Sequence, residues 1–155
     1  MIALLALPAC GDGGDDSASA DDRTSVSWLD TDVCSLVDDA DVATLIGPKA
    51  TTKAGGSGPS RPECAWTVAG TERRLVLRLW QPPVPAALTD GTRRTTAVGP
   101  DTGYVEAEDK QSCLMHVEAE PAWLSVDLVV PRDGSRPRLC DAVTPMAEQV
   151  LAFVR

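Results

Sequence analysis

The sequence predicts one α+β domain over residues 28–155, with a meandering antiparallel sheet of about 5–6 strands and a helix from each end packed on one face. Three observations predict this class. Apolar residues recur at helical spacing near both ends of the region, and they alternate at strand spacing between the ends. Four cysteines are spread over the same region in a number that suits two disulfides. A region of this length forms one domain with one core.

The N-terminal helix is marked by its start and stop signals. Asp38 is a suitable N-cap, and Asp41 follows it at the capping-box position. Gly47 and the proline after it end the helix. The segment from residue 47 to residue 62 is rich in Gly, Pro and Ser and is predicted to be a loop. The apolar face of the helix consists of Val42, Leu45 and Ile46.

Strand patterns occupy the middle of the domain. The first two strands form a hairpin, and the segment Gln81–Gly91 after them contains three prolines and must leave the sheet. In the last strand Leu124 and Val126 face the core and Ser125 faces away, as in a sheet with one covered face. The predicted strands are 63–68, 73–80, 95–98, 103–106, 112–118 and 122–130.

The C-terminal helix has the strongest helical pattern in the chain. Its apolar stripe also includes Cys140, which places this cysteine on the core side. Pro145 is tolerated only near a helix start, so the helix begins at about Asp141, or at Pro145 with Thr144 as its cap. The other stripe residues are Val143, Met146, Ala147, Val150, Leu151 and Val154.

The four cysteines of the domain predict disulfides, because the chain carries export signals described below. Four cysteines allow three pairings, and the layout favours Cys34 with Cys64 and Cys113 with Cys140, which ties a helix region to a strand in each case. A zinc site is the alternative. It is disfavoured because the chain has no Cys-x-x-Cys pair and only one histidine, His116. No metal or cofactor is expected.

The N-terminus suggests a membrane anchor. Cys10 ends the run Leu7-Pro8-Ala9-Cys10, which resembles the bacterial lipobox, where the cysteine is linked to diacylglycerol and becomes the mature N-terminus. Residues 1–9 form only a partial lipoprotein signal peptide, since the basic start is missing; a chance apolar run is the alternative. Residues 10–27 are acidic, almost without large apolar side chains, and predict a disordered tether.

Charge excludes one class of partner. The chain has 14 basic and 23 acidic residues, for a net charge of -9. A nucleic-acid-binding domain would be expected to show a basic face. No stretch after residue 9 is long enough to span a membrane as a helix. The expected location is therefore the membrane surface outside the cytoplasm, with the diacylglyceryl group on Cys10 as the contact to lipid.

Several short motifs resemble a family of uncharacterised actinobacterial lipoproteins that carry a domain of unknown function. They are the lipobox, Cys34–Val37 (CSLV) opening a short helix that ends in Leu45–Gly47 (LIG), Cys64–Trp66 (CAW) on a strand, and a second cysteine pair. A more distant likeness is to the extracytoplasmic sensor domains of mycobacterial receptor Ser/Thr kinases. The resemblance implies a membrane-anchored, non-catalytic envelope protein, and it brings no established catalytic residues.

A candidate binding surface lies on the face of the sheet turned away from the helices, which we call the outer face. Its residues have the parity opposite to the core positions of their strands and combine exposed aromatic with charged side chains. Such a surface suits an envelope protein, a peptide or a glycan. Alternatively, the two tryptophans only cover sheet edges or pack under the proline-rich loop. The candidate residues are Arg78, Trp80, His116, Glu118, Trp123 and Asp127.

The preferred function is therefore that of a lipid-anchored, non-catalytic binding or sensing module of the cell envelope. The alternative is an envelope hydrolase in which His116 acts as the base for a serine and Asp127 orients it. No nucleophile-elbow motif supports the hydrolase. A solute-binding protein of a transporter fits less well, because one small domain has no two lobes to close on a ligand.

Overall fold

The computed structural model describes residues 28–55, 61–81, 89, 91–120, 122–131 and 138–155. These residues form a single domain in which one antiparallel sheet packs against two α-helices, so the predicted α+β class is confirmed. The predicted signal segment, Cys10 and the predicted tether lie outside the described residues.

The elements follow one another in the order predicted, with one additional strand. The strands are β1 (Ala50–Gly55), β2 (Glu63–Val68), β3 (Arg74–Trp80), β4 (Thr95–Val98), β5 (Asp101–Glu108), β6 (Ser112–Ala119) and β7 (Ala122–Val129). The helices are α1 (Asp39–Ile46) and α2 (Leu139–Val154), with two 3₁₀ helices before α1, Trp28–Asp30 and Val33–Leu36.

The sheet consists of two meanders rather than the single one predicted. Its strand order is β1-β2-β3-β7-β6-β5-β4. The chain passes from β3 to the opposite edge, starts again at β4, and returns so that β7 pairs with β3. The two meanders, β1–β3 and β4–β7, therefore meet in the middle of the sheet.

Strand β1 corrects the prediction of about 5–6 strands, because it makes the seventh strand in the described part of the chain. It falls within the segment from 47 to 62 that the sequence predicted to be a loop. Most of its residues are exposed at the sheet edge, so it has no apolar alternation. Backbone pairing with β2 holds it instead, with Ala50 opposite Val68 and Gly55 opposite Glu63.

The core lies between the helices and one face of the sheet. Both helices contribute to a single cluster of buried apolar residues, which places them on the same face. Among the fully buried sheet residues are Cys64, Trp66, Leu75, Leu77, Leu79, Met115, Val117, Leu124, Val126 and Leu128. The helices add Val42, Ile46, Cys140, Val143, Ala147, Val150 and Leu151.

Two disulfides attach helical segments to this face. Cys34–Cys64 joins the 3₁₀ helix Val33–Leu36 to β2, with the two Cα atoms 5.1 Å apart. Cys113–Cys140 joins β6 to α2, with the Cα atoms 5.2 Å apart. Both separations lie in the ordinary range for disulfides. The predicted pair of disulfides, each tying a helical region to a strand, is present.

Helix α2 begins at Leu139, earlier than either predicted start, and keeps Pro145 inside it. A proline has no N–H, so the carbonyl of Asp141, four residues before it, loses its usual helical partner. The Thr144 hydroxyl donates a hydrogen bond to that carbonyl at 2.9 Å. The neighbouring threonine thus supplies the donor that the proline lacks, and the helix continues through this position.

Candidate binding site on the outer face

The outer face presents the side chains of alternate residues along each strand, and residues paired in register lie side by side in rows. Glu63, Arg78, Ser125, His116 and Tyr104 lie in one row across β2, β3, β7, β6 and β5. Trp80, Trp123 and Glu118 lie in the next row, and Asp127 lies in the row on the other side. The structure therefore places all six candidate residues on the same face: Arg78, Trp80, His116, Glu118, Trp123 and Asp127.

The aromatic residues form a packed cluster instead of the exposed set that the sequence predicted. The Trp123 ring stacks on Tyr104 with centroids 5.8 Å apart and packs against Trp80 at 5.9 Å. Trp123 is only 4% exposed, and Trp80 is half-buried. Neighbouring rings on this face bury Trp123, and strand alternation alone cannot show such packing because the neighbours belong to other strands.

Tyr104 also contacts an acidic group of the surface. Its hydroxyl donates a 3.4 Å hydrogen bond to Glu118 Oε2. Partial burial raises the pKa of the Tyr104 phenol, and the negative charge of Glu118 adds to the rise. Glu118 itself is exposed, at the edge of the aromatic cluster.

A chain of hydrogen bonds connects the aromatic cluster to a histidine. Trp80 Nε1 donates to Ser125 Oγ at 2.6 Å. Ser125 Oγ lies 2.8 Å from His116 Nδ1, and His116 Nε2 lies 2.7 Å from Glu106 Oε2. A carboxylate only accepts, so in the neutral imidazole the proton is on Nε2 and Nδ1 accepts from the Ser125 hydroxyl. The four side chains thus form one continuous chain of donors and acceptors.

A β-bulge in β5 lies at Glu106. Val105 is opposite Met115 and Ala107 is opposite Leu114, so Glu106 is an extra residue between two paired positions. Glu106 keeps the outward parity of Tyr104, and its side chain meets His116 on the outer face. The extra residue reverses the alternation after it, so the next carboxylate, Glu108, lies on the helix side opposite Cys113.

Asp127 does not orient His116, which corrects that part of the hydrolase hypothesis. It accepts hydrogen bonds from Arg74 Nε and Nη2 at 3.1 and 3.2 Å. Arg78 makes the second ion pair of the surface, with its Nε 2.6 Å from Glu63 Oε2. Each arginine is therefore held by a carboxylate on the neighbouring strand, which fixes long side chains that would otherwise be mobile.

A depression of about 340 Å³ lies between these groups. Two apolar side chains line it, Val76 and Leu114, which lie on either side of Asp127 in one register row. The polar lining residues are Glu63, Arg78, His116, Ser125 and Asp127. The depression thus combines apolar side chains with ordered donors and acceptors, as ligand sites do.

Five hydrogen-bonding residues of this site were absent from the predicted set: Glu63, Arg74, Tyr104, Glu106 and Ser125. The sequence predicted that Ser125 faces outward, but its contact with His116 depends on the pairing of β6 with β7. Glu106 has the outward parity of Tyr104, but its contact with His116 depends on the pairing of β5 with β6. Glu63 and Arg74 lie on predicted strands. Oppositely charged residues on the same face, Arg78 and Asp127, would have indicated their cross-strand ion pairs.

Within the described ranges, no group of three or more His, Cys, Asp or Glu side chains could hold a metal ion. Neither helix there is long and apolar enough to cross a membrane. The sequence matches no family model and no curated protein, and the structure matches no solved structure. The function must therefore be argued from the residues of the chain.

Proposed function

We propose that this protein is a lipid-anchored module of the cell envelope that binds or senses a partner through the outer face. The observation that carries the proposal is the depression there, which is lined by two apolar side chains and by polar side chains held by their neighbours. Both helices and both disulfides lie on the other face, so ligand contact would leave the core undisturbed.

The chemistry of the depression favours a ligand with both polar and apolar groups, such as a peptide, a glycan or a segment of an envelope protein. Two arginine–carboxylate pairs, Arg74–Asp127 and Arg78–Glu63, provide donors and acceptors at fixed positions. Trp80 offers a partly exposed ring next to them. Because these groups are ordered by their neighbours, a ligand would immobilise few additional side chains on binding.

Site-specific photo-crosslinking in intact cells tests the binding surface. A photoreactive phenylalanine analogue replaces Glu118, which is exposed at the edge of the outer face. The matched control carries it at Phe153, which is 61% exposed on α2. We expect a discrete crosslinked product from position 118 that is absent from position 153 and weakened by Arg78→Ala. Equal products at both positions, or none at 118, would show that the outer face is not the binding surface.

The lipobox-like run at Cys10 and the acidic segment behind it support the proposed membrane anchor. An attachment with several acyl chains would be firm, whereas a single chain gives marginal binding. Cells that express the gene with its native upstream sequence can be labelled with radioactive palmitate. We expect the label in the membrane-bound protein and its loss, with release from the membrane, in Cys10→Ser. An unlabelled wild-type protein would contradict the anchor.

A further inference from the structure

The side chains of Ser125, His116 and Glu106 follow one another at hydrogen-bond distance in the order nucleophile, base and orienting acid. The hydroxyl lies 2.8 Å from one imidazole nitrogen, and the carboxylate lies 2.7 Å from the other. This arrangement defines a catalytic triad by geometry and role, independently of position in the sequence. Here Nδ1 faces the hydroxyl and Nε2 faces the acid.

We propose that Ser125 is the nucleophile of a hydrolytic activity toward short-chain carboxylic esters, with His116 as general base and Glu106 as the residue that positions it. This activity goes beyond the proposed binding function. In this proposal Glu106 takes the orienting role that the sequence assigned to Asp127. Asp127 accepts hydrogen bonds from Arg74, whereas Glu106 is hydrogen-bonded to the imidazole of His116.

The hydrogen-bond directions prepare Ser125 for attack. In the neutral imidazole with its proton on Nε2, Glu106 accepts from Nε2 and Nδ1 can take a proton from the hydroxyl. Trp80 Nε1 donates to the same oxygen at 2.6 Å, and an indole N–H can only donate. The hydroxyl proton is therefore directed to His116, and the Trp80 donor stabilises negative charge that develops on Oγ.

The reaction consumes one water molecule. Ser125 Oγ bonds to the ester carbonyl carbon while its proton passes to His116 Nδ1. The carbon–oxygen bond to the leaving alcohol then breaks, and His116 returns the proton to the alcohol oxygen. Water attacks the acyl-serine with His116 again as base, releasing the carboxylic acid and restoring the Ser125 hydroxyl.

The oxyanion of the intermediate needs a donor other than the backbone. Ser125 lies on β7 between β3 and β6, and the backbone of these strands is paired in the sheet. Arg78 is directly opposite Ser125 on β3 and borders the same depression, so its guanidinium is the group that would stabilise the charge. Val76 and Leu114 are the two apolar side chains that line the depression, and an acyl group of a few carbons would cover them.

Labelling of the purified full chain with a fluorophosphonate, followed by intact mass and peptide mapping, tests the nucleophile. We expect one adduct, located on Ser125 and absent from Ser125→Ala. The matched control is Ser112→Ala, another serine of the outer face that is outside the triad, and it should label like the wild type. No adduct, or an adduct on another residue of the wild type, would overturn the proposal even if Ser125→Ala fails to fold.

Hydrolysis of p-nitrophenyl butyrate provides the second measurement. Loss of the nucleophile or of the base should lower kcat by roughly 100-fold or more, to the solution background. Glu106→Gln separates positioning from structure, since we expect a lower kcat with an unchanged KM and an unchanged denaturation midpoint. Equal turnover by wild type and Ser125→Ala would exclude the activity and leave the binding function unaffected.

Discussion

At the residue scale, Trp123 is buried on the side of the sheet that the helices leave uncovered. Its ring lies between Tyr104 and Trp80, and only 4% of the residue is exposed. A ring of this size contributes a large apolar area when water is excluded from it. Trp123 therefore contributes to the stability of the domain, independently of any ligand of the outer face.

Trp123→Ala should lower the free energy of unfolding by about 3 kcal/mol or more, because it leaves a cavity between two aromatic rings. Phe153→Ala is the matched control, since this aromatic residue is 61% exposed and its loss should change stability by no more than about 0.5 kcal/mol. Urea denaturation followed by circular dichroism measures both. Equal stability of the two variants would contradict the packing of Trp123.

Arg94 links the second meander to the start of α2. Its guanidinium donates to Asp141 Oδ1 at 2.8 Å and to Glu108 Oε2 at 2.7 Å. Glu108 also accepts the backbone N–H of Cys140 at 2.8 Å, which satisfies one of the free N–H groups at the helix start. The hydrogen bond from Arg94 lowers the pKa of Asp141.

Stability should fall in acid partly through Asp141. A carboxyl with a lowered pKa in the folded state stabilises the fold above its unfolded pKa, and this contribution is lost as the pH falls through the folded pKa. For Asp141 the loss begins below about pH 4, the ordinary range of an aspartate. We expect Arg94→Met to reduce the slope of unfolding free energy against pH in this acid range, measured by urea denaturation. Parallel pH curves for both proteins would contradict the link.

At the scale of elements, the sequence predicted the helices and strands that bury apolar residues at regular spacing. Helix α2, the hairpin of β2 and β3, and strands β6 and β7 all have apolar residues at the period of their structure, which fixed their type and the inward-facing residues. Strand β1 has no such pattern, because its side chains are exposed and its pairing is through the backbone. An edge strand of this kind becomes visible only when its partner is known.

For the candidate site, the sequence could predict only the face of the sheet on which its residues lie. Parity placed Arg78 and His116 on the same side of the sheet, but it could not show which residues become neighbours across strands. That information depends on the strand order, in which β7 lies between β3 and β6. Glu106 shares the outward parity of Tyr104, but its contact with His116 depends on the pairing of β5 with β6. Strand order and strand pairing are tertiary features without a local signal.

Gly103 allows three elements to approach closely, and its replacement by alanine should be costly. A Cβ there would lie 2.8 Å from Met115 Sδ and 3.2 Å from side-chain carbons of Thr96 and Val98. We expect Gly103→Ala to destabilise the protein by about 1–3 kcal/mol. Gly55→Ala is the control, because its nearest contact is an ordinary 3.4 Å to Glu63 Oε1. Thermal denaturation of the two variants should differ; similar midpoints would contradict the contact.

At the scale of the whole molecule, each disulfide stays within one part of the chain. Cys34–Cys64 ties the N-terminal segment to the first meander, and Cys113–Cys140 ties the second meander to α2. Between the two meanders, the pairing of β3 with β7 is the continuous connection in the sheet. Each disulfide therefore stabilises the meander to which it belongs, and the pairing of β3 with β7 joins the two meanders.

Removing either disulfide should cost a similar amount, because the bonded cysteines are separated by 30 and 27 residues. In the chain-entropy model, loops of this length give about 3.5 kcal/mol each. We expect Cys34→Ala with Cys64→Ala, and Cys113→Ala with Cys140→Ala, to lower the unfolding free energy by comparable amounts. Guanidinium denaturation measures both double variants. A wild-type midpoint that does not change under strong reduction would contradict the role of the bonds.

The bulge gives β5 one residue more than its pairing with β6 requires. Replacing Glu106 affects only the outer face, where it contacts His116. Deleting it would leave Ala107 opposite Leu114 and Glu108 opposite Cys113, and regular alternation would be restored. Glu108 would then keep its place on the helix side as the acceptor of the Cys140 N–H. A one-residue deletion at position 106 should accordingly be tolerated by the fold, although His116 would lose its carboxylate.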